Sequence, residues 1–558
     1  HTSGRVYVGS QFVHKTDDGG QSWQVISPDL TLNLKSHQQN SGGVAIDNLM
    51  TFDGSTLFAI EESKFEARVI WVGTNDGQVQ LTKDGGESWV NLTANIPSLP
   101  EWGTIANIEP SRYDKATAYI TVDLHQMGDF DPYIFKTTDY GQSWTKISDG
   151  IPKNESSFVH VVKEDPKREG MLYVGVDNGI FISHDDGSSW SRLKLNLPPA
   201  PVYWLEIQER FDDLVVGTYG RGYYILDDLS AVRGLDQKSE LAFFDVRDAW
   251  RFNNRENIKT DGQSFNSGSN PRYGASLNYF LPEKHEGTAQ IEIRDANGDL
   301  VRTVNARANA GANRAQWDLR YEPTFRPQLR VQPPGRPWVQ LNGEGWRPLV
   351  QWDLDLMAGQ SGPRVVPGQY EATLILTDKE GKETGRTSAT FTVSKDPHAE
   401  GTIDDIQAQV EFSLQLRDAM NVAVSNINAV EILRKELEAI IAEGGNKRTI
   451  REAVRLKAAA EEVAGKLYDI HLTGAREDAF RSPIKLYGRL SALASDINSS
   501  GIDFRPTDQQ GEVYEVLDER LQVAIEQFDE LINKDIQEFN KALQKQDRRI
   551  DIEKTGGQ

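Results

Sequence analysis

Short runs of strand-forming residues, each ending at Gly, mark the first third of the chain: Val6-Tyr7-Val8-Gly9, Ile70-Trp71-Val72-Gly73 and Leu172-Tyr173-Val174-Gly175. Each leads into a second short strand and then a turn of fixed pattern, Ser/Thr-x-Asp-x-Gly-x-Ser-Trp. A third strand starts at the Trp. The turn recurs four times, at Thr16–Trp23, Thr82–Trp89, Thr137–Trp144 and Ser183–Trp190. Repetition at this grain predicts stacked antiparallel sheets of short strands, the blades of a β-propeller. A fifth run, Leu214 to Asp228, has the strands but not the turn.

The punctuation then changes. Beyond a polar connector rich in Asn, Arg and Ser, strands return from Tyr273 to about Val393. Ile291–Arg294 alternates and turns at Asn297-Gly298, a strong hairpin signal. A Pro-, Gly- and Trp-rich insertion, Phe325 to Gly362, interrupts these strands and reads as an ordered loop packed on a neighbour. From about Gly401 the period becomes helical. Met420, Val424, Ile427, Val430, Leu433, Leu437 and Ile440 step by three and four, and Gly444-Gly445-Asn446 stops the run. Two further helices are predicted near 448–470 and 482–498. A long one starts at Thr507, capped with Gln510, with the stripe Val513, Leu517, Leu521, Ala524, Phe528 and Leu531. The predicted fold class is mainly β with an α tail. Propeller blades span 1–230, a connector 231–270, a β-sandwich 271–398 and an antiparallel helical bundle 399–558.

The chemistry of the repeated turn is structural. Asp18, Asp84, Asp139 and Asp185 can accept from the N–H groups of their own turns, and the Gly supplies positive φ. Trp23, Trp89, Trp144 and Trp190 offer large faces for packing between blades. The paired Asp17/Asp18 and Asp185/Asp186 are therefore poor candidates for catalysis.

Composition narrows the partners. The net charge is −22, from 83 acidic and 61 basic residues, which works against binding a nucleic acid. With no Cys there are no disulfides, thiolate metal sites or Cys nucleophiles. No apolar run is long enough to span a membrane. No metal-binding helix, phosphate loop or nucleophile elbow is present. Asp-rich turns carry the oxygen ligands Ca²⁺ takes, but none forms a complete loop, so no metal or other cofactor is expected. His398 and His471 are isolated.

In a propeller, the loops that enter the innermost strands and those joining second to third strands gather at one mouth; the repeated turns lie at the other end. The mouth loops are then Leu99–Gly103, Asp123–Asp131, Asp177-Asn178-Gly179 and Tyr219-Gly220-Arg221-Gly222. The second is an acidic and aromatic insertion carrying one of the nine His. Glycoside cleavage needs a carboxylic acid and a second carboxylate, and Glu101, Asp129 and Asp131 are the candidate catalysts. Trp102, His125, Asp177, Tyr219 and Arg221 are the candidate ligand-binding residues, Trp102 as a sugar platform and Arg221 as a carboxylate partner or a lock across the mouth.

The four turns resemble the Asp-box (BNR) repeat of sialidases, sortilin-type receptors and xyloglucanase-like glycoside hydrolases. With Ile108–Tyr113, Val162–Lys167 and Ile225–Asp228, the chain resembles a large bacterial family loosely labelled glycosyl hydrolase or sortilin-like. Residues 273–393 are similar to the immunoglobulin-like sandwich appended to many secreted bacterial proteins. The resemblance implies an exported protein, secreted or periplasmic, with further blades upstream or from another chain. A start at what reads as the second strand of a blade agrees with that. Sialidase chemistry is not expected, because the blades lack its arginine cluster. Two functions stay open: a glycan-binding propeller, a glycoside hydrolase if enzymatic, or a non-catalytic sortilin-like receptor or scaffold that takes peptides or proteins.

Overall fold

The computed structural model describes residues 3–38, 55–252, 268, 270–499, 503–544 and 547–552. The chain divides into two compact units, His1–Lys238 and Ser239–Gln558.

The first unit is a propeller-like series of five antiparallel sheets, each following the chain in simple up-and-down order. The three middle sheets have four strands. Their innermost strands are Leu57–Glu62, Thr104–Pro110 and Val159–Glu164. The last sheet has three strands and begins with Val202–Gln208. The first also has three, starting at Val6–Gly9, which matches the second strand of the other sheets. The four innermost strands neighbour one another in sequence order.

The strand-ending glycines have a steric cause. A Cβ on Gly73 would lie 2.4 Å from Ile105 of the next innermost strand, and one on Gly175 would lie 2.5 Å from the Val202 carbonyl. At Gly217, in the last sheet, the nearest atom would be 3.5 Å away. The glycine is thus needed where another sheet packs closely behind.

All four repeated turns close the same way. Thr16, Thr82, Thr137 and Ser183 accept the N–H four residues on (Gly20, Gly86, Gly141, Gly187) and donate to the Asp two residues on. That Asp accepts both the N–H and the hydroxyl of the Ser four residues on, as Asp139 does from Ser143 at 2.9 and 2.6 Å. The Ser hydroxyl holds the Asp18, Asp84 and Asp139 carboxyls below the usual carboxylate range. Two of the tryptophans tie sheet to sheet: Trp89 donates to the Ile26 carbonyl at 3.0 Å and Trp190 to the Ile147 carbonyl at 2.7 Å. Trp144 bonds within its own turn, and Trp23 is 45 % exposed.

The second unit pairs two sheets with a set of helices. A three-stranded sheet (Ala242–Phe243, Ala275–Leu281, Gly311–Trp317) and a five-stranded sheet share one core that includes Leu277, Tyr279, Ile291, Trp317, Leu374 and Phe391. The expected hairpin joins Thr288–Asp295 to Leu300–Asn305, with Gly298 at φ +86°. Much of the polar connector, 253–267 and 269, lies outside the described residues.

The helices are Ile403–Glu443, Lys447–Leu467, Leu486–Ser499 and Asp508–Glu530, continued through a π turn into Gln537–Leu543. Thr402 with Asp405, and Thr507 with Gln510, form reciprocal caps. Every residue of the expected Met420–Ile440 stripe is buried. The last stripe needs one correction: Val513 is 49 % exposed, because at that turn of the helix it is Tyr514 that faces the neighbouring helix, its ring 5.7 Å from Phe412. Among the described residues no helix is long and apolar enough to cross a membrane.

Candidate functional site

Each innermost strand carries one extra residue near its start. The pairing with the second strand skips between Leu57 and Ala59, Ile105 and Asn107, Val159 and Val161, and Val202 and Trp204. The unpaired residues are Phe58, Ala106, His160 and Tyr203, at equivalent places in four sheets. A bulge re-aims a side chain and is frequent beside functional sites. Chain direction puts these four bulges at the end away from the repeated turns.

Two of the bulged residues anchor a polar and aromatic cluster. The His160 ring is 5 % exposed and stacks on Tyr203, with centroids 4.0 Å apart. Tyr203 continues to Tyr219 at 5.4 Å, and Tyr219 is 71 % exposed. On the other side Phe158 lies edge-on to His160 at 5.0 Å and stacks on His125 at 4.7 Å, with Phe130 beyond at 5.9 Å. Asp123 fixes His125: its carboxylate lies 2.7 Å from Nδ1 and also accepts the His125 backbone N–H.

Asp123 and Asp177 flank His160 on opposite nitrogens. Asp123 Oδ2 is 3.9 Å from Nδ1 and Asp177 Oδ1 is 3.5 Å from Nε2. Neither contact is a hydrogen bond, and Nε2 is buried without a partner. Burial pushes the His160 imidazole below its ordinary 6.5, against the pull of Asp123 and Asp177. The Tyr203 phenol is raised, by burial first and then by the same two carboxylates. The arrangement offers ring faces for stacking, a buried imidazole whose Nε2 lies 3.5 Å from Asp177, and two carboxylates.

The expected site residues fall into four groups. His125, Asp177 and Tyr219 join the cluster. Asp129 and Asp131 do not, since each is committed elsewhere. Asp129 accepts the Tyr133 hydroxyl at 2.8 Å and the Asp131 N–H at 2.9 Å, and Asp131 pairs with Lys153 at 2.6 Å. Glu101 and Trp102 form a separate group with His37, whose ring stacks on Trp102 at 4.2 Å, while Glu101 is exposed. Arg221 is exposed on its Gly-flanked turn and makes no ion pair among the described residues, so it locks no Asp across the mouth.

Asp123 was in reach of the sequence, as the first residue of the acidic insertion. Phe158, His160 and Tyr203 were missed. Their signal is the register of the repeats, which sets His160 and Tyr203 in the same column as Phe58 and Ala106.

Three residues past the bulges, the same strands carry Glu61, Glu109, Lys163 and Glu206 around a cavity of about 110 Å³. Lys163 pairs with Glu109 at 2.9 Å and lies 3.9 Å from Glu206 and 5.0 Å from the Trp204 ring. Burial raises the Glu109 carboxyl, and Lys163 opposes it. Burial lowers the Lys163 ammonium, but Glu109, Glu61 and Glu206 outweigh it and leave it raised. Among the described residues no group of three or more His, Asp or Glu is arranged to hold a metal ion.

No family model matches the chain. One stretch of 84 residues is 34 % identical to an oligoxyloglucan-reducing end-specific xyloglucanase of Emericella nidulans, covering 14 % of this chain and 10 % of that protein. The chain thus spans about a tenth of the length of the curated relative it matches. Among solved structures it overlaps a GH74 xyloglucanase from Xanthomonas campestris at 13 % identity, over 70 % of this chain and 55 % of that one, with a TM-score of 0.31. An ancestral GH74 enzyme overlaps at 14 % identity, over 69 % and 45 %, with a TM-score of 0.28. YCF48 from Cyanidioschyzon merolae does so at 16 % identity, over 31 % and 53 %, with a TM-score of 0.23. Overlaps this loose carry no functional weight.

Proposed function

We propose that the first unit binds a glycan at the channel mouth, with sugar rings lying on the aromatic row that ends in Tyr203 and Tyr219. The observation that carries this reading is the row itself: Phe158, His160, Tyr203 and Tyr219 in successive ring contacts, opening to solvent at Tyr219 and flanked by Asp123 and Asp177. Aromatic faces suit the apolar faces of sugar rings, and the carboxylates suit their hydroxyls. The stretch shared with a xyloglucanase supports a glycan over a peptide. The four turns fit the Asp-box reading, with the two-sheet region as an immunoglobulin-like sandwich and the helices as an antiparallel bundle behind it. Export to the periplasm or beyond belongs to the same reading.

Binding comes first in this proposal and hydrolysis second. A glycosidase needs an acid and a second carboxylate. The pair the cluster offers is Asp123 and Asp177, since Asp129 and Asp131 are tied to Tyr133 and Lys153. The test is calorimetric titration with xyloglucan and cello-oligosaccharides, beside a reducing-end assay on wild type and Asp177→Asn. Binding weakened by Tyr203→Ala supports the site. Cleavage lost in Asp177→Asn would add hydrolysis to it. No binding to any glycan, with peptides bound instead, would replace the reading by the sortilin-like one.

A further inference from the structure

The second unit holds a pocket of different character, independent of the channel mouth. The Pro- and Trp-rich insertion is laid along the helix Ile403–Glu443 by its own backbone. Phe325 donates its N–H to Asn421 at 2.7 Å, Gln328 to Asn428 at 2.8 Å, and Arg330 and Val331 both to one oxygen of Glu431 at 2.6 and 3.0 Å. The other Glu431 oxygen accepts from Tyr468 and Arg434. This buried carboxylate is therefore fully occupied.

Arg347 is not. It pairs by its backbone with Leu329, and its side chain comes to lie beside the Glu431 network. The residue is 6 % exposed, yet its guanidinium has no hydrogen bond or ion pair among the described residues, and its Nε is sealed from solvent. Burial lowers the Arg347 pKa, with Glu431 acting the other way. Glu431 and Asp478 act on Arg347 only as nearby charges, since their hydrogen bonds come from other donors. The two terminal nitrogens of Arg347 are not sealed, and the residue lines an open pocket whose contents can supply their acceptors.

The space beside Arg347 is an open pocket of about 760 Å³. Arg336 and Arg481 share its lining, Trp338 stands at 70 % exposure on its wall, and no carboxylate lines it. In a chain of net charge −22, an acid-free pocket with three arginines is out of keeping with the rest. Its far wall is fixed: Asp478 accepts the N–H groups of Thr473 and Gly474, and the Trp352 indole donates to the Gly474 carbonyl at 2.7 Å.

We propose that this pocket binds a small ring-bearing anion, its carboxylate or phosphate group taken by Arg347 with Arg336 and Arg481, and its ring lying on Trp338. Guanidinium forks match both headgroups, and an indole face suits the apolar C–H face of a sugar ring or a flat aromatic ring.

The test is calorimetric titration of the full chain with glucuronate, glucose 6-phosphate, inorganic phosphate and glucose. Either ring anion should bind, inorganic phosphate about tenfold more weakly, and glucose not measurably. The relative affinity of the two ring anions identifies the headgroup. Arg336→Gln/Arg481→Gln, which alters only partly or fully exposed side chains, should weaken binding by about tenfold or more at unchanged melting temperature. Trp338→Ala should weaken the ring anions and spare phosphate. Arg347→Met, where it folds, should lose binding altogether. No binding of any anion, glucose bound as tightly as glucuronate, or affinity unaffected in the Arg336/Arg481 variant would overturn the proposal. Free phosphate bound as tightly as glucose 6-phosphate would remove Trp338 from it.

Discussion

The two ends of the sheets in the first unit use the same polar residues in opposite ways. At the turn end, both carboxylate oxygens of Asp139 and of its three counterparts accept from within their own eight residues, and Glu109 has Lys163 at 2.9 Å. At the mouth end, His160 is as buried as Glu109 but keeps an unpartnered nitrogen, and the carboxylates beside it stand at 3.5 and 3.9 Å. Buried polar groups are mostly satisfied; Trp71 Nε1 and Arg112 Nε are exceptions elsewhere in this unit, and what sets His160 apart is that its unpartnered nitrogen sits among carboxylates and exposed rings. The turn end holds the sheets together, and the mouth end is where the proposed glycan would lie.

The sharpest way to break this contrast is to unpair the matched end. Lys163→Met leaves the Glu109 carboxylate buried with its main partner gone, which should cost about 3–5 kcal/mol of unfolding free energy. Chemical denaturation should show a lower midpoint at unchanged slope. The double variant Lys163→Met/Glu109→Gln removes both charges and should recover most of the loss. If the double variant is no better than the single, the pair is not what sets the energy there.

Second in size is a repeated turn. Asp139→Ala takes away the acceptor of Ser143 N–H, Ser143 hydroxyl and Thr137 hydroxyl together. A loss of about 1–2 kcal/mol is expected, comparable to a lost helix cap, because the donors can turn to water. The same change at the other turns should cost a similar amount. A loss near zero at the Thr82 or Ser183 turn would show that the contact of Trp89 or Trp190 with the neighbouring sheet holds it instead.

These two sites also show what was readable in the chain. The turns were legible because their physics is local: Thr137, Asp139, Gly141, Ser143 and Trp144 fall within eight positions, and the hydrogen bonds that close the turn join residues two to four apart. The helical stripes were legible for the same reason, through a period of three and four, and Val513 failed because a step of three or four does not tell whether Val513 or its neighbour Tyr514 meets Phe412 of the first helix. The mouth cluster was legible only in pieces. Asp123, His125, Asp177 and Tyr219 could be placed on mouth loops, but His160 and Tyr203 sit inside apolar strands and read there as core. Nothing in Phe158-Val159-His160-Val161-Val162 reveals the register skip that turns His160 out of the ladder. Asp129 and Asp131 misled in the opposite sense. An acidic loop looks reactive until Tyr133 and Lys153 are found on its carboxylates. Arg347 was hidden likewise, since no spacing rule connects it with Glu431 eighty-odd positions on.

At the mouth end the third prediction concerns pH. The imidazole of His160 is held below 6.5 by burial, so the folded protein keeps it neutral where the unfolded chain already takes a proton. Its contribution is full above about pH 6.5 and is lost as pH falls through the folded-state value. His160→Leu should therefore leave stability at pH 7.5 within about 1 kcal/mol, because it removes an unsatisfied polar group as well as some packing. It should flatten the fall in stability on going from pH 6.5 toward pH 5. Glu109 and Glu164, both raised by burial, titrate alike in the two proteins and cancel in the comparison. Denaturation midpoints of wild type and variant at matched pH read the difference. Parallel curves would mean that the ring is already protonated, drawn up by Asp123 and Asp177.

The smallest expected effect on stability is at Tyr219, and there the contrast becomes a functional one. The ring is 71 % exposed and touches only Tyr203 in the aromatic row. Tyr219→Ala should shift unfolding by no more than about 0.5 kcal/mol, as surface changes do. Yet it removes the outermost face on which a sugar ring could lie, and glycan affinity should fall by about five- to tenfold, the worth of one stacking contact. Tyr203→Ala should lose more binding, and also some stability, because His160 then loses the ring stacked at 4.0 Å. The ratio of binding loss to stability loss is thus expected to rise along the row from Tyr203 to Tyr219. It should be near zero at Asp139, whose turn faces away from any ligand at the mouth. A ratio that stays flat along the row would place the ligand elsewhere and reduce the unsatisfied mouth to a packing compromise.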